Sequence, residues 1–353
     1  MAVNNYKKCI IWGAGYCGRI ALEVYGRERV ICYADTYKAG QTIEDVYVIS
    51  YSQMCEEVKG NKDICVVIAS EEHYKEMQKS LIDNEINNYV IFFPFHSGKI
   101  QNTIKHNKDI FDESIYTERC IKPHSQLKIF KDIHKDRRIF LVGNGPSLSS
   151  NDLDILHDNN DISFGFNKIY RIFEKTAWRP DYYGFTDFFS YKINMNAVEN
   201  MPGSIFLWDV FEDLIENEKK ENVYYFNFMR EPFYPELPMF SEDITKGTYL
   251  GNSVTYDIGF QFAAYMGAKE IYLLGMDHEY ASTMTASKSH FCGYFEEKEK
   301  NMNFPLYENK KVELAFEAAK EYAKEHDIKI YNATRGGKLE MFERVDFDEL
   351  FTS

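Results

Sequence analysis

Residues 138–148 read Arg138-Ile139-Phe140-Leu141-Val142-Gly143-Asn144-Gly145-Pro146-Ser147-Leu148. An apolar run typical of a strand ends there in a glycine-rich turn, and residues 149–156, which carry two aspartates, begin a capped helix. A strand, a glycine turn and a helix in this order place bare backbone N–H groups and a helix N-terminus where an anion can bind. The stretch therefore predicts a ligand-binding α/β domain that begins at residue 138 and extends to residue 353.

A second strand-turn-helix unit lies at the start of the chain. The strand-like run KKCIIW, residues 7–12, leads into a G-x-G-x-x-G pattern formed by Gly13, Gly15 and Gly18. The next predicted strand ends in Asp35, roughly 20 residues further on, where a carboxylate can hold the diol of a ribose. Tight packing of a strand against a helix, without any nucleotide, explains the same glycines equally well.

These patterns divide the chain into three parts. Residues 1–95 form a small, half-size Rossmann-like module, residues 96–137 a charged linker with one helix, and residues 138–353 the catalytic domain. The first part resembles the N-terminal domains of bacterial sugar-modifying proteins, including the nucleotide-sugar-binding part of some sugar acetyltransferases. The resemblance implies a second nucleotide site, and it rests on Gly13, Gly15, Gly18 and Asp35.

The composition narrows the classes of protein that the chain can belong to. Its formal net charge of −14 repels nucleic acid and anionic bilayers, so nucleic acid is not a predicted partner, although a local basic patch stays compatible with that charge. The seven cysteines are odd in number and form no C-x-x-C pair, which indicates free thiols in a reducing cytosol. Without a signal peptide or an apolar run of ~18 residues, the chain is predicted to be cytoplasmic.

Small polar residues end three successive predicted strands of the catalytic domain. Asn144 follows the first strand, Asn167 the second and Asp187 the third. Because the carboxyl ends of parallel strands line the ligand crevice of an open sheet, these three side chains are predicted to face one ligand. A simpler interpretation, in which polar residues merely terminate strands, also fits the pattern.

Two further segments carry candidate functional groups. Residues 247–255, GTYLGNSVT, form a polar turn before a long predicted helix over residues 256–266, and the hydroxyl and N–H groups of this turn can hold a phosphate. A buried strand then ends in Gly275-Met276-Asp277-His278-Glu279-Tyr280. The polar residues 281–307 are predicted to form a lid over the substrate, and they contain Ser289-His290-Phe291.

Four of these motifs, in this order, resemble a known superfamily. The chain carries GNGPSL, the strand-ending Asn167, the segment GAKEIYLLGMDHEY and the tripeptide SHF. It resembles the bacterial sialyltransferases that decorate lipooligosaccharide and the motility accessory factors that attach nonulosonic acids to flagellin. Both groups are related to proteins described as 6-hydroxymethylpterin diphosphokinase-like. The resemblance covers roughly residues 138–335.

The resemblance implies roles for individual residues. Asn144 and Asn167 would bind the CMP part of the donor, Tyr272 and Tyr280 would hold its phosphate, and His290 would be the general base. A Thr-Ser-Gly stretch of the sialyltransferases corresponds here to residues 252–255, whose glycine pattern departs from theirs. Together with the strand ends and turns, this gives a predicted nucleotide-binding set of Gly143, Asn144, Gly145, Ser147, Asn167, Asp187, Ser253, Thr255, Gly275 and Asp277.

Elementary chemistry agrees with a histidine base. A sugar hydroxyl that attacks an anomeric carbon needs a base whose pKa lies near the working pH, and histidine meets that requirement. His278, which follows a predicted strand, is the rival to His290. No His/Cys cluster with metal-ligand spacing occurs, so no metal is predicted; residues 277–279 are the one alternative.

The sequence thus predicts an α/β fold with two Rossmann-like parallel-sheet modules, the C-terminal one a sialyltransferase-like variant of the GT-A architecture with a lid. The predicted function is a metal-independent inverting glycosyltransferase that needs no cofactor. It would move a nonulosonic (sialic-acid-like) or related sugar from a CMP-activated donor to a surface-glycan acceptor. Peripheral association with the inner face of the membrane and a homo-oligomer both stay open.

Two alternatives to this function remain. One is an ATP-dependent diphosphotransferase related to 6-hydroxymethylpterin diphosphokinase, with magnesium held by Asp187 and Asp277. The other is a non-catalytic nucleotide-binding protein with two Rossmann-like modules. An oxidoreductase is not favoured, because the G-x-G-x-x-G module has no second half.

Overall fold

The computed structural model describes residues 8–61, 63–70, 73–92, 124–186, 194, 198, 200–209, 221–229, 233, 235–278 and 309–352. The chain divides into two compact units, Met1–Cys120 and Ile121–Ser353. Each unit has its own mainly parallel sheet, so the predicted α/β class with two Rossmann-like modules is confirmed. The predicted lid, residues 281–307, lies outside the described residues.

The first unit contains a six-stranded sheet in the order β3-β4-β2-β1-β5-β6. Its neighbouring strands run parallel except β3 and β4, which form an antiparallel pair. The central strands are buried along their length, as expected where helices cover both faces of a parallel sheet. The strands are β1 (Lys8–Trp12), β2 (Val30–Ala34), β3 (Thr42–Ile43), β4 (Val46–Ile49), β5 (Ile64–Ile68) and β6 (Tyr89–Ile91), and the helices are α1 (Tyr16–Tyr25), α2 (Tyr51–Gly60) and α3 (Tyr74–Asp83).

Cysteine side chains contribute to the core of this unit. Cys9, Cys32, Cys55 and Cys65 are buried and unbonded to one another, whereas Cys17 is half-buried. Burial disfavours the thiolate, and it raises the pKa of Cys9 to about 12 and that of Cys32 to about 11. The thiols of Cys9 and Cys32 are therefore protonated and unreactive at neutral pH.

The second unit is built on an eight-stranded sheet in the order β11-β10-β9-β8-β7-β14-β15-β16, with all its paired strands parallel. From β7 the chain proceeds outward through β8 to β11 and then returns to the other side of β7 at β14. The crevice beyond the carboxyl ends of β7 and β14 is the topological switch point, where open α/β sheets bind ligands. The strands are β7 (Arg138–Val142), β8 (Ile162–Phe166), β9 (Tyr182–Phe185), β10 (Ser204–Trp208), β11 (Val223–Phe226), β14 (Glu270–Leu274), β15 (Lys329–Asn332) and β16 (Glu343–Arg344).

The helical segments of this unit are less regular than the sequence predicts. α4 (Ser150–Asp158) and α6 (Asn309–Glu325) are α-helices, and β12 (Phe228–Met229) pairs with β13 (Thr248–Tyr249) outside the main sheet. The segment Asn167–Lys175 is a 3₁₀-helix with a kink at Lys168. Its buried Ile169 and Ile172 are three residues apart, which matches the three-residue turn of a 3₁₀-helix.

The single long helix predicted for residues 256–266 is wrong in detail. Thr255–Phe260 forms a π-helical turn, and only α5 (Gln261–Tyr265) is α-helical. Phe262 of α5 packs its ring 4.5 Å from that of Phe206, and rings of β8 and β11 surround the pair. This aromatic layer fixes the helix against the sheet and so positions the polar turn that precedes it.

Residues 124–137, which the sequence assigned to the linker, pack within the second unit. They include a 3₁₀-helix, Ser125–Phe130, and the Phe130 ring lies edge-on to those of Phe206 and Tyr224 at 4.9 and 4.7 Å. The backbone N–H of His124 donates to the carbonyl oxygen of Thr245. This part of the segment is therefore a component of the fold.

Candidate functional site

The glycine turn after β7 packs directly on the loop after β14. The N–H of Gly145 donates to the carbonyl oxygen of Gly275 at 2.8 Å, and that of Gly143 to Leu274 at the same distance. A Cβ atom on Gly145 would lie 1.8 Å from a carboxylate oxygen of Asp277, so only glycine fits there. The expectation of bare N–H groups is wrong at these positions, because both donors have partners in the protein.

Asp277 forms hydrogen bonds with the glycine turn. Its Oδ2 accepts hydrogen bonds from the Ser147 hydroxyl at 2.7 Å and from the Ser147 N–H at 3.3 Å, and its side chain is buried. Its backbone carbonyl accepts from the N–H of Lys338. Asp277 and Ser147 therefore link the turn after β7 to the loop after β14. This gives Asp277 a positioning role.

The two strand-ending asparagines behave differently from Asp277. The Asn144 Nδ2 donates to the carbonyl oxygen of Phe166 at 2.9 Å, which links the ends of β7 and β8. Asn167 has a left-handed backbone with φ of 49°, and its carbonyl oxygen accepts from the Tyr183 hydroxyl at 2.5 Å. Among the described residues, neither Asn144 Oδ1 nor Asn167 Oδ1 has a hydrogen-bond partner, although both atoms are buried.

Such acceptors require an explanation, because a buried oxygen without a donor costs about 1–3 kcal/mol. The amide orientation of Asn144 is settled by Phe166, since only the nitrogen can face a carbonyl oxygen. The side chain therefore presents its oxygen alone. The crevice edge formed by β7 and β8 offers two acceptors to a ligand that carries N–H or O–H donors.

The polar turn before the π-helix forms a hydrogen bond with a side chain of that helix, Asp257. Asp257 Oδ1 accepts from the N–H of Gly251 at 2.7 Å, and Asp257 Oδ2 accepts from the Thr186 hydroxyl at 3.3 Å. Thr255, predicted to contact the ligand, is buried and places its hydroxyl 3.5 Å from the Met276 sulfur. Ser253 is half-buried, and its carbonyl oxygen accepts the first N–H groups of the helix.

Asp257 and Thr186 were not among the residues that the sequence singled out. A carboxylate near the start of a mostly apolar helical segment, TYDIGFQFAAY, is the signal that would have marked the first. Thr186 stands directly after β9 and next to Asp187, so the same strand-end argument applies to it.

His278 lies where the sequence placed it, beyond the carboxyl end of β14. It has a left-handed backbone with φ of 52°, and its ring is 6.0 Å from that of Phe316. Burial lowers the pKa of His278, and Glu313 opposes that effect. Its imidazole is therefore neutral at neutral pH, which is the form that a general base needs. Gly275, also predicted for the site, has φ of 66° and supports the loop beneath the glycine turn.

Tyr272 lies away from the crevice. Its hydroxyl donates to Glu270 at 3.0 Å, toward the amino end of β14, and its ring stacks between Phe140 and Tyr331. Burial and the neighbouring Glu270 raise its pKa. This geometry gives Tyr272 a packing role. The remaining predicted residues Asp187, Tyr280 and His290 lie outside the described residues.

The glycine loop of the first unit is also engaged internally. A Cβ on Gly18 would lie 1.8 Å from the carbonyl oxygen of Gly13, so the glycines permit close packing of α1 on β1. The Asp35 carboxylate accepts from the N–H groups of Ala14, Tyr37 and Lys38. These contacts favour the structural explanation of the pattern, while nucleotide binding there stays a prediction.

Comparison with known families gives a match that lies mostly within the second unit. Residues 116–283 match the family described as 6-hydroxymethylpterin diphosphokinase MptE-like. This match agrees with the part of the predicted resemblance that names 6-hydroxymethylpterin diphosphokinase-like proteins. No curated protein is significantly similar in sequence.

Two solved structures are similar to the chain at low identity. The MAf glycosyltransferase of Magnetospirillum magneticum AMB-1 is 13% identical with a TM-score of 0.37, over 96% of this chain and 57% of that protein. The sialyltransferase CstII of Campylobacter jejuni, solved with cytidine-5'-monophosphate, is 17% identical with a TM-score of 0.36, over 60% of this chain and 85% of that protein. The chain thus spans little more than half the length of the first.

Two absences are confined to the described part of the chain. No three His, Cys, Asp or Glu side chains within it are grouped so that they could hold a metal ion. None of its helices combines the length and apolar character needed to cross a bilayer.

Proposed function

We propose that the second unit is a metal-independent inverting glycosyltransferase that takes a nonulosonic or related sugar from a CMP-activated donor to a surface-glycan acceptor. The observation that carries the proposal is the pair of buried oxygens of Asn144 and Asn167, after β7 and β8, which have no hydrogen-bond partner among the described residues. The resemblance of GNGPSL and Asn167 to the nucleotide-binding asparagines of the sialyltransferases supports it.

The nucleotide is assigned to this edge by the chemistry of its donors. The exocyclic amino group of cytosine and the hydroxyls of ribose are donors that fit side chains offering only oxygen. Each hydrogen bond made here also removes the cost of a buried acceptor, so it contributes more than an average hydrogen bond. The anomeric carbon and the attacking hydroxyl would then lie toward His278 or His290, one of which removes the proton.

The first experiment measures ligand-induced stabilisation with CMP, CDP, UDP, ATP and NAD. CMP is expected to raise the melting temperature of the intact chain, because a ligand that binds only the folded state stabilises it. Asn144→Ala should weaken the CMP response by about 1–3 kcal/mol of binding energy, since it removes an acceptor from the site. Asn222→Ala is the matched control, because the Asn222 Nδ2 likewise donates to backbone carbonyl oxygens, those of Met201 and Gly203, but lies at the amino end of β11.

The outcome separates this proposal from others. An equal CMP response in wild type and Asn144→Ala would contradict the assignment of the nucleotide to β7 and β8. Stabilisation by ATP and not by CMP would favour the diphosphotransferase. A response to CMP without any turnover of a CMP-sugar would favour a non-catalytic nucleotide-binding protein.

The diphosphotransferase deserves a direct test because the matching family carries that description. It would need magnesium and acidic ligands, for which Asp187 and Asp277 were the candidates. Asp277 Oδ2 is engaged by Ser147, so a magnesium ion would have to compete with two hydrogen bonds. Transfer that persists in excess chelator would contradict this alternative.

A further inference from the structure

The buried carboxyl of Asp257 lies beneath the polar turn of the proposed nucleotide site. Asp257 is 4% exposed and belongs to the π-helical turn Thr255–Phe260. It contacts two other elements of the crevice edge: the turn, through the N–H of Gly251 at 2.7 Å, and the end of β9, through the Thr186 hydroxyl at 3.3 Å. The carboxyl therefore joins the helix, the turn and the sheet at one point.

The backbone of this region is also irregular. π-Helical turns within α-helices are frequent at functional sites, because the added residue redirects the side chains of one turn. Asn252, between Gly251 and Ser253, has φ of 58°. The N–H groups that the sequence offered to a phosphate are thus directed inward in part, and the turn is shaped around a carboxyl of the protein itself.

No charged side chain balances this carboxyl within the described residues. The influences on its titration are burial, which raises the pKa of Asp257 to about 7, and opposing hydrogen bonds from Gly251, Thr186 and Ser253. The adjoining titratable group on the helix is Tyr256, whose phenol stays neutral because burial raises its pKa. At neutral pH the carboxyl is divided between its charged and neutral forms.

We propose that Asp257 is a positioning residue of the nucleotide site and that binding of a phosphate-bearing ligand beside its turn is accompanied by proton uptake at its carboxyl. This rests on the proposed function and on the sequence prediction that the turn of residues 247–255 holds a phosphate. A buried carboxylate without a counter-ion repels a second anion strongly, because the surroundings screen charge weakly. A proton taken from solvent removes that repulsion.

The hydrogen bond between Thr186 and Asp257 changes direction when the carboxyl takes up a proton. When Asp257 is ionised, the Thr186 hydroxyl donates to Oδ2. When the carboxyl is neutral, its own O–H can donate to Thr186 Oγ1, which leaves the hydrogen of Thr186 for an acceptor in the crevice. A phosphate oxygen is such an acceptor. Protonation therefore removes a repulsive charge and supplies a donor at the same edge.

The test measures the affinities of CMP and cytidine by calorimetry from about pH 5.5 to about pH 8.5. CMP binding to the wild type should weaken about tenfold as the pH rises through 7, a typical coupling between two linked sites. Asp257→Asn keeps the shape and an acceptor for Gly251 but cannot ionise, so it should bind CMP as tightly at high pH as at low pH. The titration of the CMP phosphate is common to both proteins and cancels in their ratio.

Controls make the outcomes distinct. Asp161→Asn, which removes a carboxylate paired with Arg138 at the amino ends of β7 and β8, should leave the wild-type pH profile unchanged. Cytidine, which has no phosphate, should show the same profile with both proteins. Thr186→Val removes a hydrogen bond to the ionised form and should move the wild-type midpoint to higher pH.

Each result supports or contradicts proton coupling at Asp257. Identical pH slopes for CMP in the wild type and Asp257→Asn would overturn the inference while leaving the proposed function intact. Absence of CMP binding to the wild type at every pH would overturn both. A lower melting temperature of Asp257→Asn with an unchanged slope would show a structural role alone, and it too would contradict proton coupling.

Discussion

The two ends of the Asn144 amide have different surroundings. Its nitrogen connects the ends of two strands through Phe166, and its buried oxygen has no donor within the described part of the chain. Asp277, only a short distance along the same crevice, has the opposite arrangement, because its carboxylate is engaged by Ser147. Polar residues at neighbouring strand ends therefore differ in role. Their hydrogen-bond partners distinguish these roles better than their positions in the sheet do.

The identity of the general base is a prediction at this same scale. His278→Ala should abolish sugar transfer and leave CMP affinity nearly unchanged if His278 is the base, since the base contacts the acceptor hydroxyl and not the nucleotide. His290→Ala should give that result if the resemblance is the better guide. A general base contributes about 10²- to 10⁴-fold to the rate, so single-turnover transfer assays on the two variants will separate them.

The control for this pair is His157→Ala, in the last turn of α4. That variant should transfer sugar at the wild-type rate. Equal losses of transfer and of CMP binding in either active-site variant would show a structural defect and would contradict the assignment of that histidine as the base.

At the scale of elements, the site depends on two loops that touch through glycine. The turn after β7 and the loop after β14 approach so closely that a Cβ on Gly145 would lie 1.8 Å from Asp277 and 2.6 Å from the carbonyl oxygen of Gly275. The close contact between these loops fixes the backbone positions of Asn144 and His278. The strand order then brings both loops to the switch point.

Gly145→Ala is therefore expected to destabilise the second unit by about 1–3 kcal/mol, because the added methyl overlaps a buried carboxylate. Gly60→Ala, the last residue of α2, has no atom within 4 Å of the added Cβ and serves as the control. Calorimetry should show a lower melting temperature for the first variant and an unchanged or slightly higher one for the second. Equal stability of Gly145→Ala and wild type would contradict the contact.

Regular elements could be predicted from the sequence where a local pattern determines them. β7, β10 and β15 are apolar runs followed by turns or polar residues, and Asn144 and Asn167 follow from their place at strand ends. The π-helical turn could not be predicted, because it depends on the contact of Asp257 with Gly251 and with Thr186, 71 residues away in sequence. The partners of Gly143 and Gly145 depend likewise on β14, which is distant in sequence.

At the scale of the whole molecule, the two glycine loops belong to different units and carry different chemistry. The first unit forms around β1 and β5, and the Asp35 carboxylate closes its loop by accepting backbone N–H groups. The second unit contains the two buried acceptors that we assign to the nucleotide. The more conventional G-x-G-x-x-G pattern is thus the less informative of the two for CMP binding.

Gly18→Ala tests this separation in the intact chain. Its added methyl would lie 1.8 Å from the carbonyl oxygen of Gly13, so we expect the first unit to lose stability, by about 1–3 kcal/mol. Gly15→Ala, in the same loop, meets no atom within 4 Å and has an ordinary backbone with φ of −92°, so it should leave stability unchanged. Because the proposed nucleotide site lies in the second unit, CMP should stabilise both variants as it does the wild type. Loss of the CMP response in Gly18→Ala, with the second unit still folded by calorimetry, would place the nucleotide in the first unit instead.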